Sequence, residues 1–221
     1  KGKLTVRARL TVDVSPADPA PGVAEAVRLR KLYPCGAIFF GGVKGYVDGV
    51  IEAHTAAMLA PWSDDPSLGQ GTPRWEKAAL DHAVAAADGE GLQVWLHSIG
   101  DRGIRMALDA YASAAKQNGP RDRRHRVEHV EAIDAADAPR FGALGVVASM
   151  QPLHANPDQN NEEVWVRNVG PERAVVPSRK PTPSPVPPSR PKYCRSSSVV
   201  IGKALRVTAA WTVATETPYG G

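Results

Sequence analysis

Hydrophobic positions along this chain switch repeatedly between the two-residue period of strands and the 3.6-residue period of helices. Residues 4–14 alternate as a strand, and 15–22 form a Pro-rich loop. Residues 23–33 (VAEAVRLRKLY) are compatible with a helix. Residues 37–43 form an apolar strand broken by a Gly-Gly pair; Lys44 follows directly, and Asp48-Gly49 turns the chain. Residues 50–59 are apolar without a clear period, and 62–73 form a loop of Asp, Pro, Ser and Gly. Residues 75–87 give the clearest helix, with Trp75, Ala79, Leu80, Ala83, Val84 and Ala87 on one face and Thr72-Pro73 at its start. Gly89 to Gly91 stop it, and residues 93–96 read as a buried strand ending on His97. A helix over 102–115 stops at Asn118-Gly119-Pro120. A short strand ending on His129, a helix over 134–144 and a strand over 146–150 complete the pattern.

Strands centred near residues 8, 40, 95, 127 and 148 therefore alternate with helices, which predicts an α/β fold of parallel βαβ units. A closed barrel of this kind needs eight strands, so about strands three to seven of one are expected here. A doubly wound open sheet is the rival, but no Gly-x-Gly-x-x-Gly turn follows any strand. After residue 173 the pattern ends. Seven prolines between 177 and 191 sit among Ser, Lys and Arg, and proline has no N–H to give a helix or central strand. Residues 1–173 thus read as one domain and 174–221 as an irregular tail.

The stretch 92–101 (LQVWLHSIGD) organises the candidate chemistry. A histidine at the C-terminal end of an apolar strand, before a strand-to-helix turn, stands where α/β barrels place their active sites. One such histidine is ordinarily a packed turn residue. A second copy of the pattern, RHRVEH ending on His129, turns the pair into a candidate metal site.

Charge adds little. The net +4 comes from the tail: from 173 onward there are eight Lys/Arg against one acid, whereas 1–172 hold 19 basic and 22 acidic residues. No basic stripe interleaved with aromatics supports a nucleic-acid partner. No run of about 18 apolar residues predicts a membrane span. Cys35 and Cys194 make no disulfide framework, so a cytoplasmic setting is the default expectation.

GGVKGYVDG (41–49), HTAAMLAPW (54–62), GLQVWLHSIGDRGIRMALDAYASA (91–114), RHRVEHVEAID (124–134) and RFGALGVVASMQPLHA (140–155) together resemble the YtcJ-like branch of the metal-dependent amidohydrolases, which includes N-substituted formamide deformylases. The resemblance implies a (β/α)8 barrel with divalent metal, zinc by expectation, at the strand C-termini. It implies that His97 and His129 are ligands and that Lys44 is the strand-four lysine, carboxylated in many members to bridge two metals. It implies hydrolysis of a small-molecule amide-type C–N bond other than a peptide bond. Bound zinc suits that chemistry, because it lowers the pKa of water to about 7 and polarises a carbonyl.

The remaining candidates are weaker. Gln151, His154 and Thr55 are expected at the substrate, and Asp48 and Asp101 as turn residues that orient a ligand. His125, among arginines, is expected to face solvent, and Glu128 to point away from His129 by strand alternation. Two family features are absent from the sequence: a His-x-His pair on strand one and an Asp after strand eight, where the chain reads Arg195-Ser196-Ser197-Ser198. Residues after about 174 are therefore expected to be an out-of-frame translation, the rival being a Pro-rich linker for an SH3-like partner. The alternative to a hydrolase is a catalytically inactive fragment or scaffold. Self-association into a homo-oligomer is compatible with either.

Overall fold

The computed structural model describes residues 6–34, 36–151, 159–171, 173 and 207–209. Its elements are β1 (Ala8–Asp13), α1 (Ala20–Leu32), β2 (Ile38–Tyr46), α2 (Lys77–Gly89), β3 (Gln93–Ser98), α3 (Asp101–Asn118), β4 (Arg126–His129), α4 (Ala138–Leu144), β5 (Val147–Ser149), α5 (Gln159–Val169) and β6 (Val207–Ala209). Strands β1 to β5 lie side by side in chain order, each parallel to the next, and β6 pairs antiparallel with β1. The five expected strands are all present. His154 and most of the tail lie outside the described residues.

Strand alternation gives the sheet two unlike faces. Leu10, Val12, Phe40, Val43, Val94, Leu96 and Val127 bury themselves against α1, α2 and α3 in one continuous core. Thr11, Lys44, Trp95, His97, Arg126 and Glu128, joined by the strand register, stand on the other face. All helices of the core therefore cover one side and leave the candidate chemistry on the other.

Two elements start later than the hydrophobic pattern predicts. Helix α2 begins at Lys77 because Trp75 is spent elsewhere: its indole N–H donates to the Tyr46 carbonyl (3.0 Å) and caps the end of β2. Helix α4 begins at Ala138 because Asp134 forms its own turn, its carboxylate accepting from the Ala136 N–H (2.8 Å).

The ends of β2 and β3 are tied by one side chain. Asp48 is fully buried, and its carboxylate accepts from the backbone N–H groups of Ala57 (3.0 Å), Ile99 (3.0 Å) and Gly100 (2.9 Å). Gly103 lets α3 approach, since a Cβ there would stand 2.6 Å from Asp48 Oδ2. Asp101 makes a parallel tie: Oδ1 accepts from Leu59 N–H (2.7 Å) and Arg102 N–H (2.8 Å). Above these ties, Ile51, Ala56, Met58, Trp62, Ile99, Ala132, Trp165 and Val169 form a second, smaller core. Asn168 of α5 closes it, donating to Ile51 O (3.1 Å) while its carbonyl accepts from Ser63 N–H (2.8 Å).

His125 corrects the sequence reading, for it is buried rather than solvent-facing. Its Nδ1 accepts from Val94 N–H (3.0 Å) and its Nε2 lies 3.2 Å from Asp88 Oδ1, without in-line hydrogen-bond geometry. Asp88, also buried, draws in Asn118, Arg121 and Arg123 as well. A one-residue step before a four-residue strand is too short for alternation to assign its face.

Asp48→Asn places an amide NH2 against backbone N–H donors and strands at least one of them, which costs about 1–3 kcal/mol per orphaned buried donor. Chemical denaturation should show a loss on the order of 2–4 kcal/mol, with Asp48→Ala larger. Burial pushes the His125 imidazole down to about 4, against the opposing pull of Asp88. The neutral ring's contribution is therefore complete above the unfolded value near 6.5 and is lost as pH falls through about 4. His125→Asn keeps an acceptor for Val94 and removes the titration. Its stability, measured from pH 7 to 4, should fall less steeply than that of the parent chain, by up to about 3 kcal/mol over the window.

Candidate metal centre

The candidate residues meet at the C-terminal ends of β2, β3 and β4. Lys44 Nζ lies 5.2 Å from the Tyr46 ring centre, the Tyr46 and His97 rings are 5.6 Å apart, and the His97 and His129 rings are 4.6 Å apart at 67°. Tyr46 pairs with His97 in register, and His97 with Glu128. By alternation His129 should then face the helices, with Ser98. It does not, because His129 and Val130 take left-handed backbone angles (φ 78° and 56°) that turn the ring back onto His97. Such angles are costly for non-glycine residues. Glu128 and His129 therefore reach the same side as His97, which corrects the expectation that they diverge.

Hydrogen bonds set the polarity of both imidazoles. His97 Nε2 lies 2.9 Å from the Gly49 carbonyl, which only accepts, so Nε2 carries the proton and Nδ1 the lone pair. His129 Nδ1 lies 3.0 Å from Gln151 Oε1, so there the proton sits on Nδ1 and the lone pair on Nε2. Burial pushes the His97 imidazole down to about 4, with the Gly49 bond opposing and His129 and Lys44 reinforcing, so the ring is neutral at pH 7.

Lys44 is buried, and desolvation lowers its ammonium to about 8; Arg126 adds to the shift, while Glu128 and Asp13 oppose it. Below this layer Arg126 stacks on Trp95 (4.4 Å), donates to Ser149 Oγ (2.5 Å) and pairs with Glu128 (2.8 Å), so a half-buried guanidinium bridges three strands.

The other expected residues divide. Asp48 and Asp101 both accept from backbone N–H groups at the strand ends, and Asp48 Oδ1 lies 3.7 Å from His97 Nε2. Desolvation pushes the Asp48 carboxyl up to about 6 despite its three N–H donors, and raises Asp101 in the same direction. Thr55 is exposed, and its hydroxyl serves its own loop by accepting from Val50 N–H (2.9 Å). Gln151 lies beside His129, its Oε1 3.0 Å from Nδ1. Tyr46, the Gly49 carbonyl and the Arg126–Trp95–Glu128 brace escaped the sequence reading. Only Tyr46 carried a signal: it lies two residues after Lys44 and so on the same face.

Two imidazoles suit a divalent transition metal in donor type, whereas Lys44, mostly protonated at pH 7, does not unless it is modified. In number they fall short, since no three His, Cys, Asp or Glu converge to hold a metal among the described residues. Among these residues, too, no helix is long and apolar enough to cross a membrane.

The chain is similar to several known proteins. An uncharacterized metal-dependent hydrolase from Pyrococcus furiosus superposes with a TM-score of 0.57 at 28% identity, covering 68% of this chain and 31% of its own. Its counterpart from Pyrococcus horikoshii OT3 gives a TM-score of 0.56 at 28% identity, covering 68% and 30%. Protein LONG AFTER FAR-RED 3 of Arabidopsis thaliana is 39% identical over 138 residues, 62% of this chain and 23% of that protein. Putative amidohydrolase YtcJ of Bacillus subtilis (strain 168) is 28% identical over 113 residues, 51% and 21% of the two chains. The chain thus matches less than a quarter of the length of these curated relatives. A family model matches residues 2–180, and the chain belongs to the amidohydrolase family.

Proposed function

We propose that this chain carries the middle portion of a metal-dependent hydrolase of amide-type C–N bonds other than peptide bonds, with an N-substituted formamide as one candidate substrate. The observation that carries the proposal is the His97–His129 pair: two imidazoles 4.6 Å apart at adjacent parallel strand ends, each with its proton held on the nitrogen that faces an acceptor. In this reading His97 and His129 each give a lone pair to a divalent ion, zinc by its taste for neutral imidazole. The ion would supply a lowered pKa for water and polarisation of the substrate carbonyl. Lys44 completes this side once carboxylated. Its depressed value leaves about a tenth of the amine neutral at pH 7, and the neutral amine is the form that adds CO2 and releases a proton. Asp48 and Asp101 hold the loop behind His97, and Thr55 and His154 remain candidates for the substrate side.

The architecture is proposed to be part of a (β/α)8 barrel over residues 1–173, with 174–221 a separate tail. Strands adjacent in chain order with helices on one face support the barrel. An inactive scaffold is the second reading, and the shortfall of ligands among the described residues favours it for this chain standing alone.

Zinc titration of the purified chain, read by competition with a chromophoric chelator, separates the two. The hydrolase reading expects measurable binding that His97→Ala or His129→Ala weakens at least about 10-fold. Turnover of N-substituted formamides is expected once the remaining barrel strands are supplied in trans. Less than about 0.1 zinc per chain under excess metal, together with no hydrolysis, would establish the scaffold.

A further inference from the structure

Gln151 follows the edge strand β5, yet its side chain crosses to the neighbouring strand and accepts from His129 Nδ1 (3.0 Å). The ring it meets is carried on a left-handed backbone (φ 78°), a conformation that side-chain contacts must hold in place.

We infer that Gln151 is a positioning residue for His129: its amide oxygen fixes the proton on Nδ1, presents Nε2 as the lone-pair nitrogen and holds the ring against His97. The inference rests on the proposed ligand role of His129 only for its consequence on metal affinity. The tautomer itself is a property of the metal-free chain. A substrate-lining glutamine would have no reason to set the tautomer of the ring beside it.

The experiment is a long-range 1H–15N correlation spectrum of the 15N-labelled full chain without metal, His129 being assigned by its loss in His129→Gln. The parent chain should show His129 protonated on Nδ1. Gln151→Leu, similar in volume but without an acceptor, should lose that preference and populate the Nε2-protonated form. Gln151→Glu, whose carboxylate accepts the same proton, should restore it. The backbone amide spectrum checks that each variant is folded. A parallel zinc titration should show affinity falling about 10- to 100-fold in Gln151→Leu and recovering in Gln151→Glu, the usual size of an outer-shell effect. An Nδ1-protonated His129 that persists in folded Gln151→Leu overturns the inference. A tautomer that shifts while zinc affinity stays constant upholds the role of Gln151 and overturns the ligand role of His129.

Discussion

The buried Asp48 carboxylate is the constraint on which the rest of the site depends. It gathers three N–H groups from two distant segments, the loop after β2 and the turn between β3 and α3. Those donors do not fully offset its desolvation, since its pKa is raised to about 6 rather than lowered. The fold tolerates an ill-solvated carboxylate because that group fixes where β3 ends. Gly100 and Gly103 answer the same demand: a Cβ on Gly100 would strike Ala57, and one on Gly103 would strike Asp48 itself. The loop so anchored delivers the Gly49 carbonyl to His97.

A second consequence follows from the polarity of the sheet. One face is an ordinary aliphatic core. The other carries Lys44, Trp95 and Arg126 in one row, Arg126 lying on the Trp95 ring, with Glu128 level with His97 in the row above. Charges this deep are stable only when paired and hydrogen-bonded. Arg126 is held by Glu128 and Ser149, and Lys44 responds by losing part of its affinity for a proton. On this face desolvation therefore shows as a lowered Lys44 ammonium, while Arg126 keeps its carboxylate partner.

Much of the fold was legible in the sequence, because period alone separates five strands from their helices and strand ends mark where side chains gather. His97 and His129 were found that way. The differences have two causes: alternation fails where the backbone turns left-handed, and arginine neighbours do not by themselves mark exposure. His129 and Glu128 were set on opposite sides because nothing in RVEH announces φ of 78° at its last residue. His125 was sent to solvent because its neighbours are arginines, yet Arg121 and Arg123 turn toward the same buried Asp88. Asp48 was half legible: Asp-Gly marks a turn, but its partners at 57, 99 and 100 are set by tertiary packing.

The two histidines are held from opposite flanks, and this explains why neither strand could be read by itself. His97 on β3 is oriented by a carbonyl from the loop after β2, and His129 on β4 by an amide from the end of β5. Each ring takes its proton position from the strand that lies away from its partner ring. The nitrogens carrying lone pairs are therefore different in the two residues, Nδ1 in one and Nε2 in the other. A pair of side chains alike in type thus becomes a pair unlike in presentation, set by acceptors that a linear sequence separates by 48 and 22 residues. Four consecutive parallel strands, β2 to β5, thus contribute to one pair of rings, the inner two carrying the imidazoles and the outer two leading into the acceptors.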